Sequence, residues 1–125
     1  MVKVLKCNHC GNIVTYLVDK GVPVVCCGEK MEVLEPNTSD GAGEKHVPVI
    51  KKEGSKVCVE ISTVEHPMLE EHSIMFILLE TKKGLQRVDL SPGEKPRAEF
   101  VLADGDEAVA AYEYCNLHGL WKAEV

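Results

Sequence analysis

The chain has no excess of basic residues, no long apolar run and no internal repeat, and each absence removes a class of function. Its 14 Lys and Arg face 20 Asp and Glu, for a formal net charge of −6, with no long run of one sign. A nucleic-acid-binding face needs clustered cations to displace counterions from phosphate, so this balance argues against one. It also matches an anionic substrate poorly, although only the field at the site itself decides that question. No stretch approaches the roughly 20 apolar residues of a membrane helix. Met1 to Lys6 runs into Cys7 too soon to form the apolar part of an export signal. The expectation is a cytoplasmic protein that binds neither membrane nor nucleic acid. In a reducing cytosol, the six cysteines are better read as metal ligands than as disulfides.

What is present falls into two segments, placed at residues 1–36 and 37–125. The first carries Cys7-Asn8-His9-Cys10-Gly11 and then Cys26-Cys27-Gly28. Between them, Ile13 to Val18 and Val22 to Val25 read as two β-rich runs around Asp19-Lys20-Gly21, which predicts a hairpin with metal ligands at its ends. A segment this short buries too little apolar surface to fold unaided, so a metal staple is physically expected. Asn37 to Lys45 forms a polar, glycine-containing link, with Thr38 to Asp40 able to cap one helical turn. Beyond it, short strands are predicted over Val47–Lys51, Lys56–Thr63, Ser73–Thr81, Gln86–Leu90, Arg97–Leu102, Ala108–Tyr114 and Leu120–Glu124. Gly- and Pro-containing turns separate them. The fold class is all-β: a small metal-stapled domain, then an antiparallel β-sandwich of immunoglobulin-like type.

Cys7 and Cys10 have the spacing that lets two thiolates grip one ion. Cys26 and Cys27 are adjacent, and neighbours in extended chain point to opposite faces, so this pair can chelate only through a distorted backbone. Four sulfurs suit zinc or iron equally. With four cysteines in place, His9 reads as a solvent-facing spacer.

The second segment holds the other four histidines, His46, His66, His72 and His118, all at predicted strand ends or in loops. It also holds Cys115, three residues before His118. Such placement lets five side chains converge at one end of a sandwich. Four neutral imidazoles can occupy a plane with the thiolate on its axis, leaving the opposite position open to a small ligand. Structural zinc prefers a closed tetrahedron, so five ligands favour a redox metal. An axial thiolate pushes electron density toward whatever binds opposite it. Two rivals stand beside this reading. One is a copper electron carrier, disfavoured by the surplus histidines. The other is a non-enzymatic zinc ribbon tethered to an interaction sandwich. Cys58, in the predicted strand from Lys56, matches no ligand position and reads as an incidental strand cysteine. Met68 is expected to pack near the site. Tyr112, Tyr114 and Trp121 are expected to shield the metal and its sulfur.

The combination Cys7-x-x-Cys10 with Cys26-Cys27, Glu44-Lys45-His46-Val47-Pro48, His66-Pro67-Met68 with His72, and Cys115-Asn116-Leu117-His118-Gly119 resembles the desulfoferrodoxin family of two-iron superoxide reductases over essentially the whole length. The resemblance implies a desulforedoxin-like Fe(Cys)4 domain over residues 1–36 and a neelaredoxin-like superoxide reductase domain over 37–125. It implies two iron ions per chain. Cys7, Cys10, Cys26 and Cys27 would hold the first; His46, His66, His72 and His118 in the plane and Cys115 on the axis would hold the second. It further implies that His118 binds through a different ring nitrogen from the others. Glu44 would be the sixth ligand of the ferric state, and Lys45 would attract superoxide and organise the proton-donating water. A homodimer and a rubredoxin-like electron donor are also implied.

Overall fold

The structure, a computed structural model, describes residues 2–39, 43–62 and 66–125, and Glu44 by its backbone alone. The chain divides into two compact units, Met1–Glu35 and Pro36–Val125.

The first unit is built from very short strands: β1 (Val4–Lys6), β2 (Ile13–Thr15), β3 (Val25–Cys26), β4 (Glu29–Lys30) and β5 (Glu32–Val33). β1 lies between β2 and β5 in one antiparallel sheet, and β3 pairs with β4 in another. The hairpin expected around Asp19-Lys20-Gly21 does not form. The turn is there, with the Gly21 amide donating to Asp19 Oδ1 at 2.8 Å, but β2 pairs with β1 and Val25 pairs with Lys30. The reversal lies instead in the Cys7–Asn12 loop, where the Cys7 amide donates to Asn12 O at 2.9 Å and that of Gly11 to Cys7 O at 3.0 Å. The core consists of Leu5, Cys7 and Met31, with Tyr16, Val24 and Cys26 packed on it. So few buried side chains cannot offset the chain entropy lost on folding, which leaves room for a metal staple.

The second unit begins its regular structure with one helical turn, α1 (Gly43–His46). The strands β6 (Pro48–Glu53), β7 (Lys56–Ile61), β8 (Ile74–Thr81), β9 (Leu85–Asp89), β10 (Arg97–Val101), β11 (Ala108–Cys115) and β12 (Gly119–Glu124) follow. Each of the seven predicted strands forms, with ends moved by no more than two residues; Thr63 and the capping residue Asp40 lie outside the described residues. Two antiparallel sheets result, ordered β10-β7-β6 and β12-β11-β8-β9. Their inner faces bring Val57, Val59, Ile61, Ala98 and Phe100 against Ile74, Ile77, Leu79, Ala111 and Cys115. The alternation along β7 is what the pleat demands: Val57, Val59 and Ile61 are buried while Cys58 and Glu60 face outward. Full burial of each such side chain contributes about 1.5–3 kcal/mol. Among the described residues, no helix is long and apolar enough to cross a membrane.

Candidate metal centres

In the first unit, the sulfur atoms of Cys7, Cys10, Cys26 and Cys27 lie within 4.8 Å of one another. Two turns bring them there. The loop after β1 carries Cys7 and Cys10 and closes through Gly11 at φ 83°. The vicinal pair is handled by the β3–β4 hairpin. Cys26 ends β3, while Cys27 and Gly28 form a two-residue turn with φ 53° and 78°. Positive φ at both positions marks a type I′ turn. The left-handed Cys27 is the backbone distortion that adjacent chelating cysteines require. Backbone and side-chain amides point at the sulfurs: Cys10 N lies 3.5 Å from Cys7 Sγ, Asn12 N 3.4 Å from Cys10 Sγ, and Asn12 Nδ2 3.7 Å from Cys26 Sγ. The backbone amide of Cys10, and then that of His9, pull the Cys7 thiol down to about 6. Hydrogen bonds among the crowded sulfurs hold the Cys26 proton in place and push Cys27 up to about 12. Four thiolates this close need a cation between them. His9 points to solvent and pairs with Glu29 at 3.0 Å.

In the second unit, donor atoms of His46, His66, His72, Cys115 and His118 likewise lie within 4.8 Å of one another. All five come from one end of the sandwich: His46 from α1 ahead of β6, His66 and His72 from the β7–β8 connection, Cys115 from the end of β11, and His118 from the β11–β12 turn. The rings form a closed square. Centroids are 4.6 Å apart for His46–His66, 4.7 Å for His66–His72, 5.0 Å for His72–His118 and 4.9 Å for His118–His46. Neighbouring planes meet at 64° to 78°. His46 Nε2 faces His118 Nδ1 at 3.1 Å, and Cys115 Sγ lies 3.9 Å from the same His118 nitrogen. Nε2 of His66 and of His72 are buried with no hydrogen-bond partner among the described residues. Orphaned buried nitrogens are costly unless something accepts their lone pairs, and a bound metal does so. The donor set therefore fits a five-ligand metal centre.

The surroundings select the ligating form. His66 Nδ1 is 2.6 Å from Pro67 O, and His46 Nδ1 is 3.1 Å from Glu113 Oε2. The Pro67 carbonyl can only accept, which places the His66 ring proton on Nδ1, and both contacts leave Nε2 turned inward. Burial, and after it the neighbouring imidazoles, push His46 down to about 4. His66 and His72 are lowered as well, again first by burial. For these three rings burial thus favours the neutral form that ligation requires. Burial raises the Cys115 thiol, opposed by the backbone amides of Leu117 and His118 aimed at its sulfur. His46, His66 and Cys115 are buried while His72 and His118 are partly exposed, so the square has a closed side and an open one. Lys45 is exposed beside it, and its charge acts on His46, His66 and His72. The Glu44 side chain lies outside what the structure describes.

Three corrections to the sequence reading emerge. Of the aromatic residues, only Trp121 reaches the site: it stacks on His46 at 4.9 Å and 12°, and its indole donates to His118 O at 3.0 Å. Tyr112 and Tyr114 lie on the opposite face of β11, because side chains alternate along the strand. There Tyr112 donates to Glu80 at 2.8 Å and Tyr114 stacks on Phe76. Glu113 was missed; it shares the Cys115 face, is fully buried, and burial pushes its carboxyl up to about 9. A charged residue in an otherwise apolar strand, two before a ligand, was the available signal. Asn116 was also missed. It receives the Ser73 amide at 3.0 Å and donates to Glu71 O at 3.0 Å, bracketing His72. Met68 packs on the core and accepts from the Ile74 amide at 3.4 Å. Cys58 lies on the outer face, where Arg97 Nη2 approaches it at 3.3 Å.

A β-sandwich with a histidine square and a cysteine at one end, joined to a four-cysteine unit, defines a non-haem metalloprotein with two centres. The sequence pattern of the family described as Desulfoferrodoxin matches residues 38–124. The chain is 48% identical over 122 residues to the desulfoferrodoxin of Nitratidesulfovibrio vulgaris, covering 98% of this chain and 95% of the relative. It is 39% identical over 105 residues to the superoxide reductase of Thermococcus kodakarensis, covering 70% of this chain and 91% of the relative. The crystal structure of the superoxide reductase from Treponema pallidum superposes with a TM-score of 0.84 at 33% identity, covering 99% of each chain. The chain belongs to the desulfoferrodoxin family.

Proposed function

We propose that this protein is a superoxide reductase, converting superoxide, one electron and two protons into hydrogen peroxide. The observation that carries the reading is the square of four imidazoles with Cys115 beside it, in a chain of this family. Two iron ions per chain are held, one by Cys7, Cys10, Cys26 and Cys27, the other by His46, His66, His72, His118 and Cys115. Bound among those five side chains, a ferrous ion would supply the electron, with the Cys115 thiolate among its ligands.

The chain's own residues do the rest. Glu113 and the Pro67 carbonyl hold the His46 and His66 rings with Nε2 turned inward. Trp121 covers His46 and excludes water from that side. Lys45 supplies the local positive charge that a net-negative protein needs to draw in an anion, and it orders the water that delivers protons. Glu44 would supply a carboxylate to the oxidised ion as its sixth ligand. The first unit, residues 1–36 as read from the sequence, is the desulforedoxin-like domain, and residues 37–125 are the reductase domain. The reading extends to a cytoplasmic homodimer served by a rubredoxin-like donor.

Metal analysis combined with visible absorption tests the proposal. Two irons per chain, a coloured protein, and consumption of superoxide without evolution of dioxygen are expected. A colourless, zinc-only protein would overturn it.

A further inference from the structure

We infer that Asn37 and Ser39 are positioning residues for His118, acting as a clasp that holds the β11–β12 turn from outside. The inference rests on the reading of His118 as an iron ligand.

Asn37 and Ser39 lie along the β11–β12 hairpin. The Asn37 amide donates to Leu120 O at 3.0 Å. Its side chain then behaves like one residue of a strand: Nδ2 donates to Lys122 O at 3.1 Å, and the Lys122 amide donates to Oδ1 at 2.8 Å. This two-way pairing needs Asn37 in the left-handed region, at φ 62°, a conformation asparagine tolerates better than most residues. Two residues on, the Ser39 hydroxyl donates to the His118 carbonyl. That carbonyl also receives the Trp121 indole at 3.0 Å.

The consequence follows from the turn itself. Cys115 pairs with Gly119, leaving Asn116, Leu117 and His118 as the loop, closed by Gly119 at φ 77°. His118 is the loop residue with its ring in the square, and the ring's direction depends on how its peptide plane is set. Asn116 ties the start of the loop to the chain on either side of His72. At the other end, Trp121 and Ser39 set the His118 carbonyl from two directions. Without Ser39 the peptide plane retains one donor, and the ring that presents Nδ1 beside Cys115 Sγ gains freedom.

Outer partners of metal ligands affect retention by roughly 10–100-fold when they bond the ligating ring directly. Acting through the backbone, Ser39 is expected to be worth less, about 3–10-fold. The test uses the full-length, two-iron protein with Ser39→Ala, Ser39→Thr and Asn37→Gly. Glycine keeps the left-handed backbone and deletes only the amide. Measured are the visible band of the oxidised histidine–cysteine centre, the rate of iron loss from it to a chelator, and thermal unfolding. Absorption of the four-cysteine centre serves as the internal reference. Ser39→Ala and Asn37→Gly should shift the band and speed iron loss about 3–10-fold, with the reference unchanged, and Ser39→Thr should restore both. A wild-type band and release rate in both Ser39→Ala and Asn37→Gly would overturn the inference, and so would a lowered unfolding temperature without those changes. If the wild-type protein binds no iron at these five residues, it is the functional reading that fails.

Discussion

Replacing Glu113 with glutamine in the iron-free protein should remove a pH-dependent destabilisation whose sign and size follow from its burial. Glutamine keeps the shape and a hydrogen-bonding partner for His46 Nδ1, but it cannot ionise. In the fold, burial raises the Glu113 carboxyl from 4.5 to about 9. Between those values the folded chain keeps the proton and the unfolded chain releases it, so folding takes up one proton. Stability then falls as pH rises, by about 1.4 kcal/mol per pH unit for one proton. His46 acts in the opposite direction. Lowered from 6.5 to about 4, it is neutral when folded and protonated when unfolded across that interval, so its contribution is lost as pH falls. That contribution is common to both proteins and cancels in their difference. From pH 5.5 to 7.5, wild type should therefore lose about 3 kcal/mol relative to Glu113→Gln. Urea unfolding of both proteins, metal-free, at several pH values measures the difference. Parallel pH profiles would refute the argument, because they would mean that the buried carboxyl is not held protonated.

Other perturbations probe separate parts of the two centres. Cys115→Ser should abolish the thiolate-to-iron charge-transfer absorption of the oxidised second centre while leaving that of the first; persistence of the band would reassign the sulfur ligand. Lys45→Ala should slow the reaction with superoxide at low ionic strength and flatten its salt dependence, because one local cation is lost; unchanged pulse-radiolysis rates would deny it a steering role. Gly28→Ala places a side chain at φ 78°, which costs on the order of 1 kcal/mol or more. It should weaken iron retention by the four cysteines without altering the second centre, and equal retention in the variant would show that the hairpin turn does not set the site.

Much of the sandwich was legible because its strands alternate cleanly. Val57, Val59 and Ile61 fall on one face of β7 and Cys58 and Glu60 on the other, and a period of two allows only that arrangement. The first unit was less legible. Ile13–Thr15 and Val25 look like partners in sequence, yet three-residue strands carry too little pattern to specify pairing, and the loop between Cys7 and Asn12 chose β1 as the mate of β2. The tyrosines misled for a related reason. Their closeness to Cys115 in sequence suggested shielding, but Tyr112 and Tyr114 differ from Cys115 by odd steps along a strand and so face away. Glu113, at an even step, faces the site.

The sequence by itself determined which atoms were available for chemistry: four sulfurs in two pairs, and four imidazoles with a Cys-x-x-His, each near a turn or strand end. Ligand type and spacing are local properties, written in the order of residues. Only the tertiary structure decided that the rings close into a square and that Glu113 and Asn116 hold them. Those outcomes depend on which strand ends meet across two sheets, and contacts between residues dozens of positions apart leave no trace in local pattern.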